Sequence, residues 1–100
     1  YGWAGLGAIE LSEDNLDAAE SSLLAAIHRD GQDPTVLANL GEVYLRKGDA
    51  EKASGYLEKA LQLDPKGEDP GANRARAILQ GMMLVLDEIE KNPEAFASEN

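Results

Sequence analysis

Residues 33–65 read DPTVLANLGEVYLRKGDAEKASGYLEKALQLDP, and this stretch decides the fold. Asp33 followed by Pro34 suits a helix N-cap and a first helical position, where the missing proline N–H costs nothing. Val36, Leu37, Leu40, Val43 and Tyr44 then recur at three- and four-residue steps as one apolar face. Lys47-Gly48 closes that helix with a cation and a residue that accepts the left-handed conformation. Asp49 caps a second helix whose face is Ala53, Tyr56, Leu57, Ala60 and Leu61. Asp64-Pro65 ends it, because proline disfavours helical geometry in the residue before it. The small residues Gly41, Ala53 and Ala60 let the two helices approach closely, near the lower end of the usual ~8 to 10 Å interaxial distance.

The same pattern stands thirty-four residues earlier. A shift by that period gives identities at Ala4, Leu6, Gly7, Leu11, Ala19, Leu23, Ala26 and Asp30, the fixed-period self-similarity of a stacked array. The apolar run from Tyr1 to Leu11 is thus the first helix of an earlier pair. Ser12 to Asn15 is its turn, and Asn15 caps a second helix striped by Leu16, Ala19, Leu23, Ala26 and Ile27. Two positions depart from the later pair. Glu10 stands where Tyr44 stands, which loosens the packing there, and Gly31 stands where Pro65 stands, leaving the helix end to glycine.

Leu37, Leu40, Gly41, Tyr44, Ala53, Leu57, Ala60 and Pro65 together resemble the tetratricopeptide repeat family. The resemblance implies an all-α fold: two helix-turn-helix repeats, about residues 1–33 and 34–67, stacked as a right-handed solenoid. A short polar linker, Lys66-Gly67-Glu68, precedes Asp69-Pro70, which repeats the start signal of Asp33-Pro34. The helix that follows is striped by Ala75, Ile78, Leu79, Met82, Val85, Leu86 and Ile89 and ends at Asn92-Pro93. It lacks the small-residue pattern of a third repeat, so residues 70–91 are expected to cap the stack by covering the far side of the second repeat. Five helices are predicted, near residues 2–12, 15–29, 34–47, 50–63 and 70–91, in a single domain over 1–91. Residues 92–100 are expected to form a mobile tail with Phe96 as its one anchor.

Bulk properties narrow the function. The net charge of −10, from nine basic and nineteen acidic residues, repels phosphate backbones and anionic lipid, so no nucleic-acid partner is expected. No apolar run reaches the ~18 residues of a spanning helix, and no membrane insertion is expected. The reading is of a soluble, cytoplasmic protein. Because the chain starts at Tyr1, already inside a helical pattern, it is also expected to be a piece of a longer protein. With no cysteine and one histidine, His28, beside Arg29 and Asp30 at a helix end, neither a metal site nor a general base is indicated. No glycine-rich loop follows a strand, and no cofactor is expected. The chain is not read as an enzyme.

What the family resemblance implies instead is protein or peptide binding on a concave face lined by the first helix of each pair. Turning the core residues of those helices inward leaves Ala4, Ala8, Ala38, Asn39, Glu42, Leu45 and Arg46 to line the groove. Asn39 would bond the backbone of an extended peptide while the alanines leave room for its side chains. Met83 and Leu84 break the polar outer face of the last helix and mark a second contact surface, for a partner or for a homodimer. Relatives that grip a terminal carboxylate with lysine, asparagine and arginine are matched at Asn39 only. A narrower resemblance runs through GLGA at Gly5–Ala8, KGDAEKASGYLEKA at Lys47–Ala60 and ANRARAILQGM at Ala72–Met82. That order is similar to the bacterial type III secretion chaperones that cradle translocator proteins. Two readings of function therefore stand: an adaptor or chaperone that holds an extended segment, and a structural, self-associating piece of a larger repeat protein.

Overall fold

The computed structural model describes residues 2–94. Five helices follow in order: α1 Trp3–Ser12, α2 Leu16–Asp30, α3 Pro34–Arg46, α4 Ala50–Leu63 and α5 Pro70–Lys91. Among the described residues there is no strand. Each expected helix is present, and each boundary falls within one residue of its expectation.

Helix starts follow the aspartates. The Asp33 carboxylate accepts from Thr35 N (2.9 Å) and Val36 N (3.3 Å), and Asp49 accepts from Lys52 N (3.1 Å). Each satisfies N–H groups that a first helical turn leaves without intrahelical partners. Asn15 is the exception. It occupies the N-cap position of α2, but its side chain makes no capping hydrogen bond, contrary to the expectation drawn from its residue type. The turn ends are handled by left-handed residues: Gly31 at φ 85°, Gly48 at φ 87° and, one period before Gly48, Asp14 at φ 60°. The earlier turn thus holds a non-glycine residue where the later one uses glycine.

α3 is the centre of the molecule. It touches all four other helices and is buried on both sides. Val36, Leu40, Val43 and Tyr44 join Leu11, Leu23 and Ala26 in one core. Leu37 and Ala38, on the other side of α3, join Leu57, Ala60 and Ala75 in a second. Leu23, Leu37, Leu40, Leu57 and Val43 are the largest fully buried side chains, each contributing about 1.5 to 3 kcal/mol of transfer free energy. One face of α3 therefore joins the two repeats, and its other face joins the second repeat to α5.

Departures from the repeat are compensated locally. In the second repeat Tyr44 stacks on Tyr56, centroids 5.4 Å apart and planes within 10°. The equivalent pair in the first repeat is Glu10 and Ser22, and there the Ser22 hydroxyl donates to Glu10 Oε1 at 2.6 Å. A polar bond replaces an aromatic stack, and the buried Ser22 is satisfied by it.

α5 packs on both α3 and α4, with Gly71, Ala72 and Ala75 buried. Gly71 lies so close to the Thr35 backbone that a Cβ there has no room. The Asp69 carboxylate locks the start of α5 by accepting from Gly71 N (2.7 Å) and from the Thr35 hydroxyl (2.9 Å). Coverage stops halfway, which corrects the expected stripe. Val85 and Leu86 are 55% and 59% exposed, although the periodicity assigned them to the covered face. The cause is length. At 22 residues α5 runs about 33 Å, against about 20 Å for the 13 residues of α3, so its second half overhangs the helices beneath it. The anchor at Phe96 and most of the tail lie outside the described residues. No described helix is long and apolar enough to cross a membrane.

Candidate binding clefts

The first helices of the two repeats, α1 and α3, enclose an open cleft of about 490 Å³. Ala4, Gly5 and Ala8 form one wall, Val36 and Asn39 the other, and the Gly31–Asp33 turn closes one end. Three predicted groove residues, Ala4, Ala8 and Asn39, meet here. The walls are low because the α1 side is built from alanine and glycine, so space is left where larger side chains would fill it.

Asn39 is only 6% exposed, and its Oδ1 accepts from the Arg74 guanidinium on α5. An arginine offers donors alone, so the amide must present its oxygen to Arg74 and turn its NH2 group away. Arg74 was not among the predicted residues. Its signal was present: Asp69-Pro70 restarts the Asp33-Pro34 pattern thirty-six residues on, which sets Arg74 in register with Ala38, one residue before Asn39.

The remaining predicted residues go elsewhere. Ala38 is a correction: it is 0% exposed, sealed against Leu57, Ala60 and Ala75 by α5, and offers no surface to a ligand. Glu42 pairs with Arg46 (2.5 Å) and approaches Arg74 (3.9 Å). Arg46 also donates to the Leu11 carbonyl (3.2 Å) and to Asp14 (3.4 Å), so it ties the end of α1 and its left-handed turn to α3. Leu45 faces the other way. It lines a second cleft, also about 490 Å³, with Ala50 and the α5 residues Ile78, Met82, Val85 and Leu86. Met83 and Leu84 are both 67% exposed and lie outside the lining of either cleft.

Electrostatics are concentrated at the α2–α3 contact. Lys47 Nζ donates to Asp17 (2.7 Å) and Glu20 (2.6 Å), and the Tyr44 hydroxyl donates to Glu20 (2.7 Å). The Lys47 hydrogen bond holds Glu20 below the usual carboxylate value, with the Tyr44 hydroxyl adding to it. Asp17 is lowered by the same lysine, and Lys47 is raised in return, chiefly by Asp17 and then Glu20. Burial pushes the Tyr44 phenol up, and its bond to Glu20 pushes it further. These groups brace the repeat junction. Among the described residues no three His, Asp or Glu side chains converge as metal ligands would.

The tetratricopeptide repeat model matches residues 34–66. The cellulose synthase 1 operon protein C of Komagataeibacter xylinus is 37% identical over 78 residues, covering 78% of this chain and 6% of that protein. The cellulose synthase operon protein C of Komagataeibacter sucrofermentans shows the same identity and the same coverage. The chain thus spans only a small part of these relatives, whose names share nothing with the secretion chaperones that its motif order resembles. No solved structure matches the chain. The thirty-four-residue period and the capped helix pairs agree with the family match, and residues 34–66 are a tetratricopeptide repeat.

Proposed function

We propose that the chain is a non-catalytic protein-interaction module, an adaptor or chaperone, that holds an extended partner segment in the α1–α3 cleft. The observation that carries this reading is Asn39: a nearly buried amide fixed by Arg74 in the wall of a cleft whose opposite wall is alanine and glycine. A fixed amide matches the alternating N–H and C=O groups of an extended backbone, and holding it in place beforehand lowers the entropy cost of binding. Glu42 and Arg46 lie outside the lining of this cleft and are held in their own ion pair. Given the names of the relatives, a segment of another protein in a polysaccharide-synthesis assembly is the partner class to try first. The test is a peptide-array screen followed by titration with Ala8→Arg, which fills the cleft from an exposed position. Binding lost in Ala8→Arg at unchanged melting temperature supports the reading; binding retained overturns it.

A second reading is favoured by a different observation. Trp3, Leu6 and Ile9 on the first helix, and Met83 and Leu84 on the last, leave apolar side chains exposed outside both clefts. Those are the surfaces through which repeats stack on further repeats, as in a longer array. A homodimer is the third possibility the same surfaces allow, and sedimentation across a concentration series separates it from the other two.

A further inference from the structure

The overhang of α5 creates a surface that the α1–α3 cleft does not use. Leu45 and Ala50, at the α3–α4 turn, form one wall; Ile78, Met82, Val85 and Leu86 form the other. Gly81 leaves a notch in the second wall, since a Cβ there would meet nothing within 4 Å. From Ile78 to Ile89 the apolar strip runs about 16 Å, three helical turns. A helix laid into such a groove reads it with side chains at i, i+3 or i+4 and i+7.

Charge says which helix. At 100° per residue, the strip of Met82, Val85, Leu86 and Ile89 runs between Glu88 on one flank and Glu90 on the other. From Asp87 to Glu94 four carboxylates face one cation, Lys91, which is already paired with Asp87 at 3.0 Å. Of the cations near the α3–α4 turn, Arg46 pairs with Asp14 and Glu42, Lys47 pairs with Asp17 and Glu20, and Lys52 stands over the Tyr44 ring. The apolar cleft is therefore rimmed by unbalanced negative charge on a molecule of net charge −10. A second copy would bring ten more negative charges and the same acidic flanks to the contact.

We infer that this cleft docks an amphipathic helix of a partner protein whose apolar stripe is flanked by lysine or arginine, a site separate from the α1–α3 cleft. Apolar anchors fill the space beside Gly81, and the basic flanks meet Glu88 and Glu90.

The probe is a synthetic leucine-lysine helix, apolar at i, i+3, i+4 and i+7, with its leucine-glutamate counterpart, each titrated against the full chain by fluorescence anisotropy. The leucine-lysine peptide is expected to bind saturably at one to one, and more weakly as salt rises. The double variant Val85→Gln/Leu86→Gln should weaken it by at least about tenfold, a loss near 1.4 kcal/mol. Leu63→Gln, an equally conservative change at an exposed leucine outside the cleft, and Ala8→Arg, in the other cleft, should leave it unchanged. Both α5 positions are exposed, so the circular dichroism melt of the double variant should match the parent. Equal binding of the leucine-glutamate peptide, or binding untouched by the double variant, overturns the inference. So does a concentration-dependent dimer that the double variant abolishes, which would assign the cleft to a second copy.

Discussion

Gly41 of α3 and Leu57 of α4 share one space: a Cβ on Gly41 would lie 2.5 Å from both Cγ and Cδ2 of Leu57. One period earlier Gly7 and Leu23 repeat the contact, at 2.6 Å. In each hairpin a leucine of the second helix is seated over a glycine of the first, and that seat sets how closely the two helices approach.

Gly41→Ala should therefore destabilise. A helical glycine replaced by alanine gains up to about 1 kcal/mol in propensity, but forcing a methyl into a filled core costs roughly 1 to 3 kcal/mol. Leu57→Ala alone should cost about 2 to 5 kcal/mol through lost burial and the cavity left behind. The double variant should lose less than the sum, because the new methyl occupies part of that cavity. Urea melts of the four proteins measure the coupling, and strict additivity would show that the two residues do not meet.

Gly55→Ala should do the opposite. Gly55 also lies within a helix, but nothing stands within 4 Å of a Cβ built there. Only the propensity gain remains, about 0.5 to 1 kcal/mol. A thermal melt showing no gain or a loss would mean that the open surface at Gly55 is occupied.

Acid should weaken the repeat junction. Glu20 is lowered from the ordinary 4.5, mainly by Lys47, so its contribution is complete above that value and is lost as pH falls through the depressed folded value. Asp17, lowered by the same lysine, adds in the same direction. Tyr44 works in reverse. Its value is raised from 10.0, so its contribution is complete below that pH and is lost on the alkaline side. Melting temperature measured from about pH 3 to pH 7 should fall toward acid, and Glu20→Gln should flatten part of the slope. An unchanged slope would remove Glu20 from the account.

A chain ending at Lys66 should be less stable than the full chain and prone to associate. Removing α5 uncovers Leu37, Ala38, Leu57 and Ala60, which α5 seals together with Ala75. Two repeats alone also fall below the usual minimum of about three. A truncated chain that remained monomeric with the same melting temperature would show that α5 contributes nothing to the fold.

The sequence by itself determined the helices, because their signals are local. Asp33, Asp49 and Asp69 cap within their own first turns, and Leu37, Leu40, Leu57 and Ala60 follow the helical period that the backbone imposes. The thirty-four-residue identity between Gly7 and Gly41 likewise announced a repeated hairpin. Tertiary structure decided what each face meets. Ala38 reads as a groove residue until α5 covers it, and Val85 and Leu86 read as covered until the lengths of α3 and α5 are compared in space. Arg74 reaches Asn39 across thirty-five residues; the Asp69-Pro70 restart sets its register, but the packing of α5 on α3 decides that the two side chains meet. Periodicity fixes a residue's angle about its own helix axis, while burial depends on where neighbouring helices begin and end, and that is a property of the packed array.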